Sequence, residues 1–201
     1  MGTLAELLAG LEYQVDAEYR GLDVGAGGLT DVEFEACTFA ECGFGSATLR
    51  RVVFRDCAFV DCDLGLMTLT DCRFVECRMT RCRALGVAWA GAERSLIAQV
   101  PFAFDECNLD LGSFQGADVA GSVFRDCSLR EVDFSDADLR RVDFGGSDLA
   151  RATFARADLR EADLVGARNV ALDPRDSKLR GAQFSVDGAL GLLAAFGVVV
   201  R

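Results

Sequence analysis

The 201-residue sequence contains no histidine, two prolines, one tryptophan and one lysine, Lys178. The absence of histidine excludes histidine-based catalysis and removes a frequent ligand of structural zinc sites. No run of about 18 apolar residues is present, so we expect no membrane-spanning helix and no membrane partner. The start, MGTLAELLAG, lacks the basic and long apolar regions of a signal peptide, which favours a cytoplasmic location.

The charge balance is strongly acidic. Asp and Glu together number 32 against 21 Lys and Arg, a net charge of −11. Such a balance disfavours a protein that binds nucleic acid through its phosphates. It suits a basic protein partner, although acidity also improves solubility.

A five-residue repeat organises most of the chain. From Leu29 to Leu164 every fifth residue is large and apolar, except Ala84, Arg94 and Gln99. The residue two positions earlier is nearly always small, and all nine cysteines occupy that position. A period of five fits neither a helix nor a plain strand. It predicts a chain that turns a corner every five residues, so that four sides close a coil of about twenty residues. Successive coils then stack at the spacing of neighbouring strands.

The repeat units resemble a known family. DADLR, SDLAR, ADLRE and ADLVG resemble the A(D/N)LXX consensus of the pentapeptide repeat proteins. This resemblance implies an all-β solenoid, specifically a right-handed quadrilateral β-helix. Because no insertion shifts the five-residue frame, we expect residues twenty apart to stack along the whole rod.

The repeat and its ends predict three regions. Residues 1–16 form an N-terminal cap with a capping box at Thr3 and Glu6. Residues 17–184 form the β-helix, which is irregular at 90–103, where Pro101 predicts a kink that keeps the phase. That segment is either a recognition loop or a drifted repeat. Residues 185–201 form a C-terminal helix, N-capped by Ser185 and ended by Gly197, followed by a short VVV strand.

Nine cysteines at first suggest a metal site or disulfides. Stacking twenty apart instead places Cys37, Cys57 and Cys77 in one inward column; the other predicted columns are Cys42, Cys62 and Cys82, and Cys107 with Cys127. Parallel side chains disfavour the disulfide dihedral, and a tetrahedral metal site needs converging ligands. We therefore interpret the cysteines as small packing residues and expect no metal and no cofactor.

No enzyme chemistry is indicated. The repeated aspartates occupy outward positions at repeat spacing, where turn hydrogen bonds account for them. The GAGG at 25–28 lacks the Lys-Ser/Thr of a phosphate-binding loop, and a regular solenoid has no deep pocket. The sequence predicts a binding protein, not an enzyme.

Two segments sharpen the resemblance. The GVVV ending and CRALGVAWAGA are similar to the pentapeptide repeat proteins that protect DNA gyrase, which include the quinolone-resistance (Qnr) proteins and self-resistance proteins of poison producers. The resemblance implies an acidic, DNA-mimicking homodimer that binds gyrase or topoisomerase IV and counters a poison such as a quinolone or an albicidin-like compound. The unbroken frame lacks the long loops of quinolone-resistance members and fits a loop-less or self-resistance relative better. The implied dimer contacts are Leu190, Leu193, Phe196, Val198, Val199 and Val200. The alternative is that this apolar element only caps the solenoid within one chain.

Sorting the outward charges by face gives a candidate surface. With twenty-residue stacking, the most acidic face is centred on Phe44, Leu64, Ala84, Phe104, Phe124, Phe144 and Leu164. Its carboxylates are the predicted partner-binding residues: Asp63, Asp105, Glu106, Asp126, Asp143 and Asp163. The other hypothesis is a structural or scaffolding repeat protein with another partner and no topoisomerase role.

Overall fold

The computed structural model describes residues 3–8, 10–25, 27–91, 102–193 and 196–199. The helices are α1 (Leu4–Leu7) and α2 (Val186–Leu193), and Trp89–Gly91 forms a short 3-10 helix. The strands are β1 (Tyr13–Val15), β2 (Glu18–Arg20), β3 (Leu29–Thr30), β4 (Glu33–Glu35), β5 (Thr38–Ala40), β6 (Thr48–Arg50), β7 (Val53–Arg55), β8 (Ala58–Val60), β9 (Thr68–Thr70), β10 (Arg73–Val75), β11 (Arg78–Thr80), β12 (Ala103–Asp105), β13 (Val123–Arg125), β14 (Asp163–Leu164) and β15 (Gln183–Phe184).

Most sides of the coil among the described residues end at a corner residue whose backbone is left-handed. Asp31, Ala36 and Glu41 have φ of 55°, 53° and 55°, and the pattern recurs at five-residue intervals. This conformation costs an L-residue roughly 1–2 kcal/mol. Hydrogen bonds between coils hold it in place, since Glu41 N donates to Val60 O at 2.9 Å and Asp61 N donates to Thr80 O at 3.0 Å.

Short parallel ladders form four faces, numbered here in chain order. Face 1 holds β1, β4, β7 and β10, and face 2 holds β2, β5, β8, β11, β12 and β13, followed by β14 and β15. Face 3 is a row of single bridges from Asp23 to Arg168, and face 4 holds β3, β6 and β9. Paired residues such as Phe34 and Phe54 are twenty apart. The predicted four-sided parallel β-solenoid is therefore confirmed, with about 8 turns.

The register changes at one coil among the described residues. Met79 pairs with Phe104, and Arg83 pairs with Asn108, a separation of 25 residues. The five-residue frame is kept, as predicted, but this coil contains one unit more than a square requires. The expectation that residues twenty apart stack along the whole rod is therefore wrong across residues 92–101. Those residues, on which most of the predicted irregular segment falls, lie outside the described residues.

The core consists of the large apolar residues at every fifth position, called here the centres, each stacked on its equivalent in the next coil. Phe34 lies 5.1 Å from Phe54 between ring centroids, and Phe104 lies 5.2 Å from Phe124, with nearly parallel planes in both pairs. Trp89 continues this stacking onto Phe114 at 6.0 Å. A fully buried ring contributes on the order of 2–3 kcal/mol, so the ladder of centres is the main source of stability.

All nine cysteines are buried and free. The Sγ of Cys62 accepts a hydrogen bond from Cys42 N at 3.4 Å and donates to Phe39 O at 3.3 Å. Burial raises the pKa of Cys37 and Cys72, which favours the protonated thiol that can donate. The thiols therefore bridge successive coils as well as filling space.

The same bond pattern joins two columns that were predicted separately. Cys82 N donates to the Sγ of Cys107 at 3.3 Å, across the 25-residue step. Farther along, Cys127 N donates to Ser147 Oγ at 2.9 Å, and that hydroxyl donates to Phe124 O at 2.8 Å. A hydroxyl thus replaces the thiol at an equivalent position. One continuous column runs through Cys42, Cys62, Cys82, Cys107, Cys127 and Ser147.

Helix α1 covers the first coil. Thr3 Oγ1 accepts from Glu6 N at 3.2 Å and Glu6 Oε2 accepts from Thr3 N at 2.9 Å, which confirms the predicted capping box. Leu4 is buried, and its N–H donates to Asp23 O at 2.7 Å. The parallel ladder begins at Tyr13, before residue 17.

The C-terminal element agrees with the prediction only in part. Ser185 Oγ accepts from Gly188 N at 3.2 Å, so Ser185 caps α2, and Gly197 has φ of 70°. The predicted strand is wrong at Val198 and Val199, because neither pairs with another strand of the described chain. Val200 lies outside the described residues. No helix in the described part of the chain has the length and apolar character needed to cross a bilayer.

The thiol contacts predict unequal effects of two small substitutions at Cys107. Cys107→Ser keeps an acceptor for Cys82 N, as Ser147 does for Cys127. Cys107→Ala removes it and leaves a buried N–H unpaired, so we expect it to be about 1–3 kcal/mol less stable than Cys107→Ser. Urea unfolding of both variants measures the difference. Equal stability would mean that the thiol only fills space.

Candidate protein-binding surface

The 25-residue coil separates the predicted carboxylates. Asp63 lies on face 3, where it bridges Gly43 and Arg83. The other five lie on face 2, because its ladder passes from Met79 to Phe104 and not from Ala84 to Phe104. The structure therefore brings together Asp105, Glu106, Asp126, Asp143 and Asp163, and places Asp63 on the neighbouring face.

On face 2 these carboxylates outnumber the bases. Arg125 is the sole base among face-2 residues 103–166, and it forms an ion pair with Asp143. That hydrogen bond, helped by the nearby Asp105 and Asp126, raises the pKa of Arg125. Asp105, Glu106 and Asp126 form no ion pair with any described residue, and Glu106 and Asp126 are exposed. The nearby arginines, Arg125 and Arg81, are already paired with Asp143 and Asp61, so these three carboxylates leave a net negative charge on the face.

Two of the carboxylates also hold their own turns. Asp143 Oδ1 accepts from Gly145 N at 2.8 Å, and Asp163 Oδ1 accepts from Val165 N at 2.8 Å. This local bond is what the repeat consensus requires of an Asp before the centre. Asp143 and Asp163 are therefore structural residues as well as surface charges.

In the coils before Asp105, carboxylates of face 2 are paired with arginines. Glu41 Oε1 lies 2.7 Å from Arg20 Nη1, and Asp61 Oδ1 lies 2.8 Å from Arg81 Nε. The uncompensated charge on this face therefore begins at Asp105.

Charge also varies along the rod, which the sorting by face did not show. Residues 102–136, called here the acidic belt, carry eight carboxylates and two arginines. Residues 137–185 carry nine bases against eight acids. A count along the chain would have found this contrast. The carboxylates of the belt are Asp105, Glu106, Asp110, Asp118, Asp126, Glu131, Asp133 and Asp136.

Five of the six predicted dimer residues are described, and all five are at least partly exposed. Leu190 and Leu193 are partly exposed, and Phe196, Val198 and Val199 are more exposed. Arg175 Cζ lies 5.6 Å above the ring of Phe196 and so joins this element to the last coil. The apolar side chains thus remain accessible to a partner.

A groove of about 540 Å³ lies between α2 and the last coil. Its lining includes Arg168, Asn169, Ser185 and Asp187 together with glycines. The one hydroxyl in this lining, Ser185 Oγ, accepts the hydrogen bond from Gly188 N that caps α2.

Arg175 controls the titration of a neighbouring carboxylate. Its guanidinium donates to Asp173 Oδ2 at 2.6 Å and lowers the pKa of Asp173 to about 2. A lowered folded-state pKa stabilises the fold above the ordinary value of 3.8, and this contribution is lost as the pH falls towards 2.

We therefore expect Arg175→Gln to return the pKa of Asp173 towards 3.8, and to lower the melting temperature at pH 7 but not near pH 2. Carboxyl-carbon NMR titration and thermal unfolding measure these effects. Arg180→Gln is the control, since Arg180 forms no ion pair with a described residue. An unchanged Asp173 titration in Arg175→Gln would contradict the assignment.

With the four faces and their charges described, comparison with known proteins identifies the family. The family model described as a pentapeptide repeat region matches residues 32–98 and 98–164. The chain belongs to the pentapeptide repeat family. No curated protein sequence matches it.

Solved pentapeptide repeat structures resemble the chain in fold. Trypsin-treated QnrB1, a plasmid-mediated fluoroquinolone resistance protein, is 21% identical over 94% of this chain and 100% of its own, with a TM-score of 0.46. HetL of Nostoc sp. strain PCC 7120, involved in heterocyst differentiation regulation, is 21% identical over 90% of this chain and 92% of its own, at 0.40. A thylakoid-lumen protein of Arabidopsis thaliana is 25% identical over 55% of this chain and 73% of its own, at 0.41.

Proposed function

We propose that this pentapeptide repeat protein is a non-enzymatic DNA mimic that binds DNA gyrase, or topoisomerase IV, and protects it from a topoisomerase poison. The observation that best supports this proposal is the acidic belt, whose face-2 carboxylates Asp105, Glu106 and Asp126 have no ion-pair partner among the described residues. The cytoplasm is the compartment where such a partner would be met.

The belt reaches the charge density of DNA over a short length. It contains 35 residues, about 1.75 coils, which is roughly 8 Å along the rod at strand spacing. Its net charge is −6, and duplex DNA carries about five charges over the same length. The whole chain has less than half the density of DNA, so imitation is confined to this belt.

The choice of partner follows from the resemblance of the GVVV ending and CRALGVAWAGA to gyrase-protecting members of the family. QnrB1, to which the chain is similar in fold, is a fluoroquinolone resistance protein. A self-resistance role against a natural poison fits the unbroken five-residue frame. Binding through exposed carboxylates should weaken as salt rises.

The acidic belt predicts the effect of removing its uncompensated charges. Asp105→Asn, Glu106→Gln and Asp126→Asn together should abolish protection of purified gyrase, because these charges would contact its basic DNA-binding surface. Supercoiling and cleavage assays with a poison, either albicidin or a fluoroquinolone, measure protection.

The matched control removes three charges from face 1, where Asp16, Asp56 and Glu76 form no ion pair with a described residue. Asp16→Asn, Asp56→Asn and Glu76→Gln together change the net charge equally and should leave protection intact. Protection by the belt variant equal to that of the parent protein would rule out the belt.

We further propose a homodimer formed through the C-terminal element, through Leu190, Leu193, Phe196 and the terminal valines. The exposure of Leu190 and Leu193 on α2, and of Phe196, Val198 and Val199 after it, supports this contact. Leu190→Asp with Phe196→Asp should halve the mass measured by light scattering. Leu7→Asp with Leu11→Asp adds the same charge at the other end and should not. A monomeric parent protein would contradict the proposal.

The second candidate is a structural or scaffolding repeat protein with another partner. The regular, packed coils favour it as much as they favour the first candidate. It predicts that the protein has no effect on supercoiling or cleavage at any concentration.

A further inference from the structure

An area without charged side chains, called here the uncharged window, interrupts the charged surface of the solenoid. Residues 65–70, 84–91 and 111–117 contain no charged side chain, in a chain that is 26% charged. They belong to three successive coils and adjoin on faces 3 and 4. Leu66 N donates to Leu85 O at 2.8 Å and so joins the first stretch to the second, and Trp89 N donates to Ser113 O at 2.8 Å and joins the second to the third. The window is therefore one continuous area.

Two leucines project from this window at corner positions. Leu66 and Leu111 have φ of 56° and 60° and are 58% and 56% exposed. The other described corner residues with positive φ are polar, charged, alanine or glycine. Both leucines lie at the corner between faces 3 and 4, separated by Gly86 alone. This leucine ridge, Leu66, Leu85, Gly86 and Leu111, is specific to one corner of the rod.

Gly86 makes room for the ridge. A Cβ at this position would lie 2.9 Å from Leu66 Cδ2, so Leu66 extends over a corner that has no side chain of its own. A leucine at corner positions 66 and 111 is unfavourable for two reasons, because its backbone is left-handed and its apolar side chain faces water. Nothing within the fold requires leucine, since Ser46 occupies the same corner one coil earlier with φ of 57°.

We propose that the leucine ridge is the apolar centre of the contact with the topoisomerase, and that the partner meets it with an apolar surface ringed by arginine or lysine. This inference rests on the proposed function. Protein interfaces place apolar residues at the centre and polar residues at the rim. An apolar contact would increase the affinity for the partner beyond what the acidic belt provides. It would be a contact that DNA itself does not make.

The charges at the edges of the window determine the kind of partner. The nearest charged residues in sequence on either side of the three stretches are Asp63 and Asp71, Arg83 and Glu93, and Asp110 and Asp118. Arg83 is paired with Asp63 at 2.9 Å. From the neighbouring coils, Arg50 and Arg51 adjoin Thr70 and Arg130 adjoins Leu111, and Arg51 and Arg130 are paired with Asp31 and Asp148. With most of its bases already paired, the rim has a net negative charge. A basic rim on the partner complements it. A second copy of this chain, with its net charge of −11, would bring two negative rims together.

The test is binding to purified DNA gyrase at low and high salt. The variant Leu66→Ser with Leu111→Ser takes the residue already present at Ser46 and changes no charge. We expect it to weaken binding about tenfold or more, by a similar factor at both salt concentrations, because apolar contacts are not screened. The control, Leu7→Ser with Leu11→Ser, removes leucines of similar exposure from the N-terminal cap and should bind within about twofold of the parent protein.

The outcomes separate this inference from the proposed function. If the ridge variant binds gyrase as tightly as the parent protein, the ridge is not part of the contact, and the proposed function stands. If the ridge variant changes only the protein's own oligomeric mass, the ridge faces a second copy and the inference is wrong. If the parent protein does not bind gyrase, the proposed function and this inference both fail.

Discussion

Every coil depends on the contact between an inward residue and its equivalent in the next coil. The strands have two or three residues each, too few to form a stable sheet alone, and many corners are held in a left-handed conformation. Stacked rings such as Phe34 on Phe54 offset both costs because each centre is buried by its neighbours above and below. Thiols and hydroxyls on the second inward position then pair backbone groups, as Cys107 does for Cys82. The outer surface is left free to vary.

That dependence explains what the sequence could predict. The large centre and the small residue two positions before it are both inward, so their period predicts a chain that turns a corner every five residues. The capping box at Thr3 and the cap at Ser185 are local signals that need no tertiary information. Family membership follows from the same repeat.

The number of five-residue units in a coil could not be predicted, because the frame is identical whether a coil contains four units or five. The 25-residue coil moves every later unit by one face, which takes Asp63 away from Asp105 and extends the cysteine column from Cys82 to Cys107. The strand predicted at the terminal valines fails for another reason. β-propensity predicts a strand, but Val198 and Val199 find no strand to pair with in the described chain.

The surface divides by position along the rod more than by face. The acidic belt concentrates charge where Arg125 and Arg130 are the sole bases, and the coils after it are close to neutral. The uncharged window with its leucine ridge overlaps the start of the belt on faces 3 and 4. A partner that cradles the rod at this level would meet charge on one side and apolar side chains on another.

The proposed function places this protein where DNA binds on gyrase. The most direct test is displacement of a fluorescently labelled DNA duplex from purified gyrase, followed by anisotropy while this protein is titrated in. We expect competitive displacement, with an apparent affinity that falls as the concentration of DNA or of salt rises. Binding of the protein to gyrase with the duplex still attached would contradict DNA mimicry, even if the enzyme were protected.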